Sequence, residues 1–364
     1  MMEPKNTPTA PIDYIRGVNT PSKKKEFFPI SEPFRNYLRK HRRVRKLPLI
    51  YNDLLRWDTS FPLIDRNGVD THWRTVMYHQ SEYDELNRSL NSIYALLMAD
   101  GEKRFTKHLA VDRIDYCEFG NSKPFRVRII NRLNDNYDHF YVKKADASRV
   151  YGLELEHIMS PNKMFYLLDG TTLIEAHIPG IPGDVFIKDH LETSDFEKIR
   201  IAKEFVKFNE RCFVRLLGDM RSYNYVVDVT PDIEGNQYRL RAIDFDQQTY
   251  EGRKNFYLPQ YFKSNNPIVN LGIEKMTPKT VEQYQYEERS MIAARILTEQ
   301  TRTLSLLEIM KRDRLSSPEK VRQLADELAS HHDDPKFLKA RSMGEMVQEN
   351  IQLLLDKDFR QSSG

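Results

Sequence analysis

Residues 217–227 read LGDMRSYNYVV, and a second acidic cluster, AIDFDQ, follows at residues 242–247. Asp219 and Asn224 stand five positions apart, and Asp244 and Asp246 close a short apolar run. Carboxylate and amide oxygens are hard donors that suit magnesium. A further carboxylate can meet a hydroxyl as it attacks a phosphate, so the chemistry open to this set is ATP-dependent phosphoryl transfer. Arg221, two positions after Asp219, could steady charge on the moving phosphate. Each fragment also has a plainer reading, because Asp and Asn are turn residues and IDFD could simply end an edge strand.

The elements that must position these residues are legible upstream. LAVDRIDYCEFGNSKPFRVRIINRLNDNYDHFYVKKAD reads as three short strands separated by turn chemistry at GNSKP and NDNYD. A helix, ASRVYGLELEHIMS, comes next, and then a strand pair, MFYLLDGTTLIEAHI, joined at Asp169-Gly170. Residues 109–178 are therefore expected to form an α+β unit of five antiparallel strands and one helix. The stretch from Ser194, SDFEKIRIAKEFVKFNERCFVRLL, is helical and delivers the chain into the Asp219 loop. From about Thr277 the chain reads as helices, with Thr277-Pro278, Ser317-Pro318 and Asp334-Pro335 as starts and Ser342/Glu345 as a capping box. Residues 32–107 also carry helical signals. The clearest is a helix from Ser81 to Gly101 with Tyr83, Leu86, Leu90, Ile93, Leu96 and Leu97 at helical spacing.

LGDMRSYN followed by AIDFD resembles the protein-kinase-like superfamily, and most closely its aminoglycoside-phosphotransferase-like branch, in which H-G-D-L-x-x-x-N precedes I-D-F-D. Leu217 stands where that branch has histidine. The resemblance covers about residues 109–262. It implies a bilobal fold with a five-stranded antiparallel N-lobe over residues 109–178, a mainly helical C-lobe over 179–364, and a helical N-terminal extension over 1–108. In that frame Asp219 is the base or orienting carboxylate, and Asn224 and Asp244 hold Mg2+. Asp246 is either a second metal ligand or a solvated turn residue. The lysine expected on ATP phosphates is Lys143, which strand alternation turns to the same face as Tyr141, with Lys144 as the alternative. Its bracing carboxylate is Glu154, or else Glu156. Gly120 and Ser122 lie in the hairpin that would cover the phosphates, where the usual glycine-rich pattern is absent. The Glu175 carbonyl and the His177 amide would meet the adenine edge. No partner at ligand spacing supports a metal role for His177. The segment YEGRKNFYLPQYF, residues 250–262, offers either an aromatic wall for the acceptor or ordinary packing.

Composition sets the outer limits. The 364 residues are 40 % apolar and 30 % charged, which describes a globular chain too long for one small core. No apolar run approaches the roughly 20 residues of a membrane span. MMEPKNTPTAPIDYIRG shows neither the apolar core nor the cleavage site of a secretory leader, so none is expected, and two cysteines support neither a disulfide framework nor a zinc site. The cytoplasm is the expected compartment. A net charge of +3 is unevenly spread, with the excess in residues 23–46. That arm reads either as a solvated helix face or as a contact for nucleic acid. The expected activity is transfer of a phosphoryl group from ATP to a hydroxyl of an unidentified acceptor. The alternatives are a nucleotide-binding scaffold without turnover and transfer of AMP.

Overall fold

A computed structural model describes residues 25–65, 68–102, 107–118 and 120–362. The loose extension expected over the first twenty residues, and Lys23 and Lys24 of the basic arm, lie outside them. In chain order the first elements are α1 (Glu32–Lys40), β1 (Thr59–Ile64), β2 (Asp70–Met77) and α2 (Gln80–Ala99). There follow β3 (Leu109–Cys117), β4 (Phe125–Asn131), β5 (Tyr137–Lys144), α3 (Ala147–Met159), β6 (Tyr166–Asp169) and β7 (Thr172–Ala176). The run expected over 109–178 is thus present in order.

Among the described residues the sheet has seven strands and not five, ordered β1-β2-β3-β4-β5-β7-β6 and antiparallel throughout. The two extra strands come from the segment expected to be helical. DTHWRTVM pairs with both β1 and β3 and buries Thr71, Trp73 and Val76, and Pro62 sits in β1, at the sheet edge, where proline is tolerated. The opposite edge, β6, is capped by residues 43–45: Leu168 N–H donates to the Arg43 carbonyl at 2.8 Å and Arg45 N–H to the Leu168 carbonyl at 3.0 Å.

One face of the sheet is apolar. Phe125, Val127, Ile129, Phe140 and Val142 pack beneath Leu86, Leu90, Ile93 and Leu97 of α2. The helix over this face therefore belongs to the N-terminal segment, and α3 packs elsewhere. The α2 cap is His79, whose ring accepts from Ser81 N–H at 3.3 Å, two residues ahead of the expected start. The other face carries Arg126, Tyr141, Lys143 and Glu175.

From His177 the chain crosses to a second sheet, β10-β9-β8, built from β8 (Ile181–Pro182), β9 (Tyr225–Asp232) and β10 (Gly235–Ala242). Helices α4 (Gly183–Asp189) and α5 (Asp195–Val214) fill the interval between β8 and β9. The remaining helices are α6 (Asn266–Lys275), α7 (Pro278–Thr298), α8 (Gln300–Met310), α9 (Pro318–His332) and α10 (Met343–Ser362). Thr277 and Ser317 cap α7 and α9 as expected, whereas Asp334 caps only a short 3-10 turn. These elements share a larger core with α1 and α3. None of the described helices is long and apolar enough to cross a membrane.

The two ends of the chain meet on α3. Glu154 is fully buried and accepts from Arg43 Nε (2.9 Å), Arg302 Nη2 (2.8 Å), Tyr37 Oη (3.0 Å) and Tyr166 Oη (2.6 Å). Burial alone would push its carboxyl up, but the two guanidiniums and the phenols outweigh that and hold it down at about 2. Its contribution to stability is complete above the ordinary value of 4.5 and lost as pH falls toward 2. Replacing Glu154 by Ala strands two guanidiniums and should cost about 3–5 kcal/mol. Urea unfolding at pH 7 measures this, and a cost under about 1 kcal/mol would show that the cluster does not hold the chain ends.

Candidate active site

Gly218 opens the Asp219 loop because nothing larger fits. A Cβ there would lie 2.6 Å from Phe256 Cδ1. Asp219 itself is non-glycine backbone at φ +61°, a conformation that must be held from outside. Its N–H donates to the Phe256 carbonyl at 3.1 Å, and its carbonyl accepts from Arg221 N–H (2.8 Å) and from Asn224 Nδ2 (2.7 Å). The five-residue spacing thus has a local cause: the Asn224 amide closes the loop on Asp219, while its Oδ1 accepts no hydrogen bond among the described residues.

This loop is laced to the segment after β10. Leu217 bridges Gln248, Gly218 N–H donates to the Gln247 carbonyl (3.2 Å), and Ile243 N–H donates to the Asn224 carbonyl (3.0 Å). Asp219 and Asp244 are brought to one place, close enough that the Asp244 charge acts on Asp219. Leu217, where the resembling branch has histidine, is core, and the Gln248 amide donates to the carbonyls of Arg215 and Leu216 (3.3 Å to the latter).

Lys143 is buried on the polar face of the sheet, while Lys144 is exposed over the Tyr51 ring. The partner of Lys143 is neither Glu154 nor Glu156. Glu154 sits about 10 Å down the α3 axis from its first residue, in the cluster described above. Glu156 pairs with Arg215 and Asn162. Lys143 Nζ instead donates to Glu175 Oε2 at 2.8 Å. The ladder explains this: Tyr141 faces Glu175 and Lys143 faces Leu173, so Lys143 and Glu175 are diagonal neighbours on one face.

Arg149 joins that pair to the loops. Its guanidinium, 2 % exposed, donates through Nε and Nη2 to both Glu175 oxygens (2.8 Å for Nη2). Through Nη1 it reaches Asp244 Oδ1 at 3.0 Å and Asp246 Oδ1 at 2.9 Å. Gly152, one turn on, permits the approach, because a Cβ there would lie 2.9 Å from Phe245 Cβ. The result is one continuous chain, Lys143–Glu175–Arg149–Asp244/Asp246, from the seven-stranded sheet to the loop beside Asp219. Burial would raise the Glu175 carboxyl, but Arg149 and Lys143 hold it at about 2. Burial and then Arg149 lower Lys143, against the pull of Glu175. Burial and then Asp246 raise Asp244, against Arg149. Arg149 was missed in the sequence. The available signal is a cation in the first turn of a helix, where the exposed N–H groups disfavour it unless carboxylates stand nearby.

The expected backbone contacts of the connector do not form as foreseen. His177 N–H is already given to the His139 carbonyl at 3.2 Å, and the alternation of the ladder turns the Glu175 backbone toward Tyr141. Glu175 therefore acts through its carboxylate. The His177 ring meets Tyr141 Oη at 3.3 Å, and burial lowers its pKa. Gly120 accepts from Lys123 N–H in a turn at the Lys143 end of β5, and the Ser122 carbonyl faces Lys144 N–H at 3.4 Å. Phe119 of that hairpin lies outside the described residues. Of the aromatic segment, Tyr257 is core and Tyr261 is exposed, while Phe256 contacts the Asp219 loop and Phe262 lies 5.2 Å from the Arg221 guanidinium. In the basic arm, Arg43 pairs with Glu154, Arg45 with Asp100 and Lys25 with Asp146, so part of its charge is satisfied within the chain.

Among the acidic residues of the two loops, Asp219 is displaced upward. Burial, with Asp244 adding, raises it to about 6 even though Arg221 Nε donates to it at 2.8 Å. Its folded value lies above the ordinary 3.8. The charged carboxylate therefore lowers stability at pH values above that range, and the cost fades as pH falls toward 3.8. Asp219→Asn should stabilise the protein at pH 8 by about 1–3 kcal/mol, with the gain closing below about pH 4. Thermal unfolding of both proteins across that range measures it; a variant less stable at pH 8 would contradict the assignment. No protein-family model matches the chain, and no curated protein matches it.

Proposed function

We propose that the chain is a kinase-like, two-lobed phosphotransferase that moves a phosphoryl group from ATP to a hydroxyl. The observation that carries this reading is the unbroken ion-pair chain from Lys143 to Asp244 beside the strained Asp219 loop. A lysine that could hold phosphates is linked through Glu175 and Arg149 to the hard-oxygen donor Asp244, beside a raised carboxylate that could take a hydroxyl proton, and the loop residues follow the chain order of LGDMRSYN and AIDFD. Lys143 would bind the α- and β-phosphates, positioned by Glu175. Asp219 would orient the acceptor hydroxyl and take its proton, and Arg221, half exposed beside it, would face the transferred phosphate.

The donor set fits magnesium. Asp244 Oδ2 and Asn224 Oδ1 accept no hydrogen bond among the described residues. Those residues contain no group of three or more His, Cys, Asp or Glu able to hold a metal alone. Two protein oxygens complemented by substrate phosphates are a usual magnesium arrangement. Bound there, magnesium would neutralise phosphate charge. A nucleotide-binding scaffold without turnover is the second reading, favoured by the engagement of both Asp244 and Asp246 with Arg149.

ATP binding by calorimetry, with and without Mg2+, tests the reading. Binding should require Mg2+ and fall at least about tenfold in Asp244→Ala and in Lys143→Met. No binding to the wild type would end the phosphotransferase assignment. Binding with no phosphate release or transfer across a panel of hydroxyl acceptors would favour the scaffold.

A further inference from the structure

Arg149 stands where a cation is hard to keep. It lies in the first turn of α3, against the helix dipole, and its guanidinium is 2 % exposed. Three carboxylates compensate, and two of them, Asp244 and Asp246, are those the reading above turns toward phosphate and metal. We propose that Arg149 is a resident cation that takes the electrostatic place of one divalent ion. The site then accepts a single divalent ion, which arrives with the nucleotide, and Asp246 serves Arg149 and not the metal. The inference rests on the phosphotransferase reading of Asp244.

Charge and rigidity both support it. Lys143 and Arg149 face Glu175, Asp244 and Asp246, leaving one formal negative charge; without Arg149 there would be two. The guanidinium is not poised to swing away, because Glu175 grips it through both oxygens and α3 is seated on Phe245 at Gly152. Asp246 spends Oδ1 on Arg149 and its N–H on Asp244 Oδ1 (2.9 Å), so it turns the Asp244 carboxylate and fixes its orientation. Asp244 Oδ2 is what remains for a metal.

The test is Mn2+ titration of the full chain without nucleotide, reading free Mn2+ by electron paramagnetic resonance. Arg149→Gln should bind Mn2+ at least about tenfold more tightly than wild type, since a unit charge 3.0 Å from the Asp244 carboxylate is removed. Arg149→Lys should stay near wild type, and the gain should vanish in Arg149→Gln/Asp244→Asn. A gain in affinity separates this role from a purely structural one, which would only weaken binding. Equal affinities, or a gain that survives loss of Asp244, overturn the proposal. Should Arg149→Gln fail to fold, the wild type decides: tight nucleotide-free Mn2+ binding abolished by Asp244→Asn overturns it, and Mn2+ retention only with ATP supports it. Absence of the gain alongside Mg2+-dependent ATP binding defeats the inference and leaves the phosphotransferase reading standing. The gain without any ATP binding by wild type does the reverse.

Discussion

A guanidinium removed from water among three carboxylates is the interaction on which the site is organised. Arg149 must satisfy Glu175 on the large sheet and Asp244 and Asp246 beyond β10 at once, so the positions of α3, β7 and the AIDFD loop are not independent. Buried ions of this kind contribute little net stability, because desolvation offsets much of the attraction. What they contribute is geometry. Any arrangement that separates the sheet from the loop leaves an unpaired charge in a dry place, which is far more costly than the pairing is favourable.

The Asp219 loop shows the opposite economy. A left-handed aspartate with a raised carboxyl is unfavourable both in backbone and in charge, and it persists because Phe256, Asn224 and the strand-like contacts of residues 217–218 leave it no other course. Left-handed backbone at an acidic residue with a raised carboxyl, next to a network that keeps one formal negative charge, is the pattern of a site shaped for something other than stability.

Much of this was legible in the sequence where the signal was local. Strand alternation turned Lys143 to the polar face, turn residues marked the hairpins, and Thr277 and Ser317 marked helix starts. The misses were non-local. Nothing near Lys143 in sequence says that its partner lies diagonally across β7, and Glu154, equally acidic and closer in sequence, is claimed by Arg43 and Arg302 from the two ends of the chain. Strands β1 and β2 were lost for a different reason: β1 is an edge strand, largely exposed and interrupted by Pro62, and the buried positions of β2, Thr71, Trp73 and Val76, do not keep a strict alternation. Glu175 was assigned through its backbone because a connector invites that reading, whereas the register of β5 and β7 had already committed those groups.

The Glu154 cluster also bears on how the chain can reach this state during synthesis. Glu154 emerges from the ribosome well after Arg43 but long before Arg302, and at the rates of translation that interval spans several seconds or more. Throughout it, α3 has one of its two guanidinium partners and lacks the helix that would bury the other side. The segment carrying LGDMRSYN and AIDFD appears inside that interval as well. The site's two loops are therefore synthesised before α8, and only with α8 does Glu154 on α3 gain its second guanidinium.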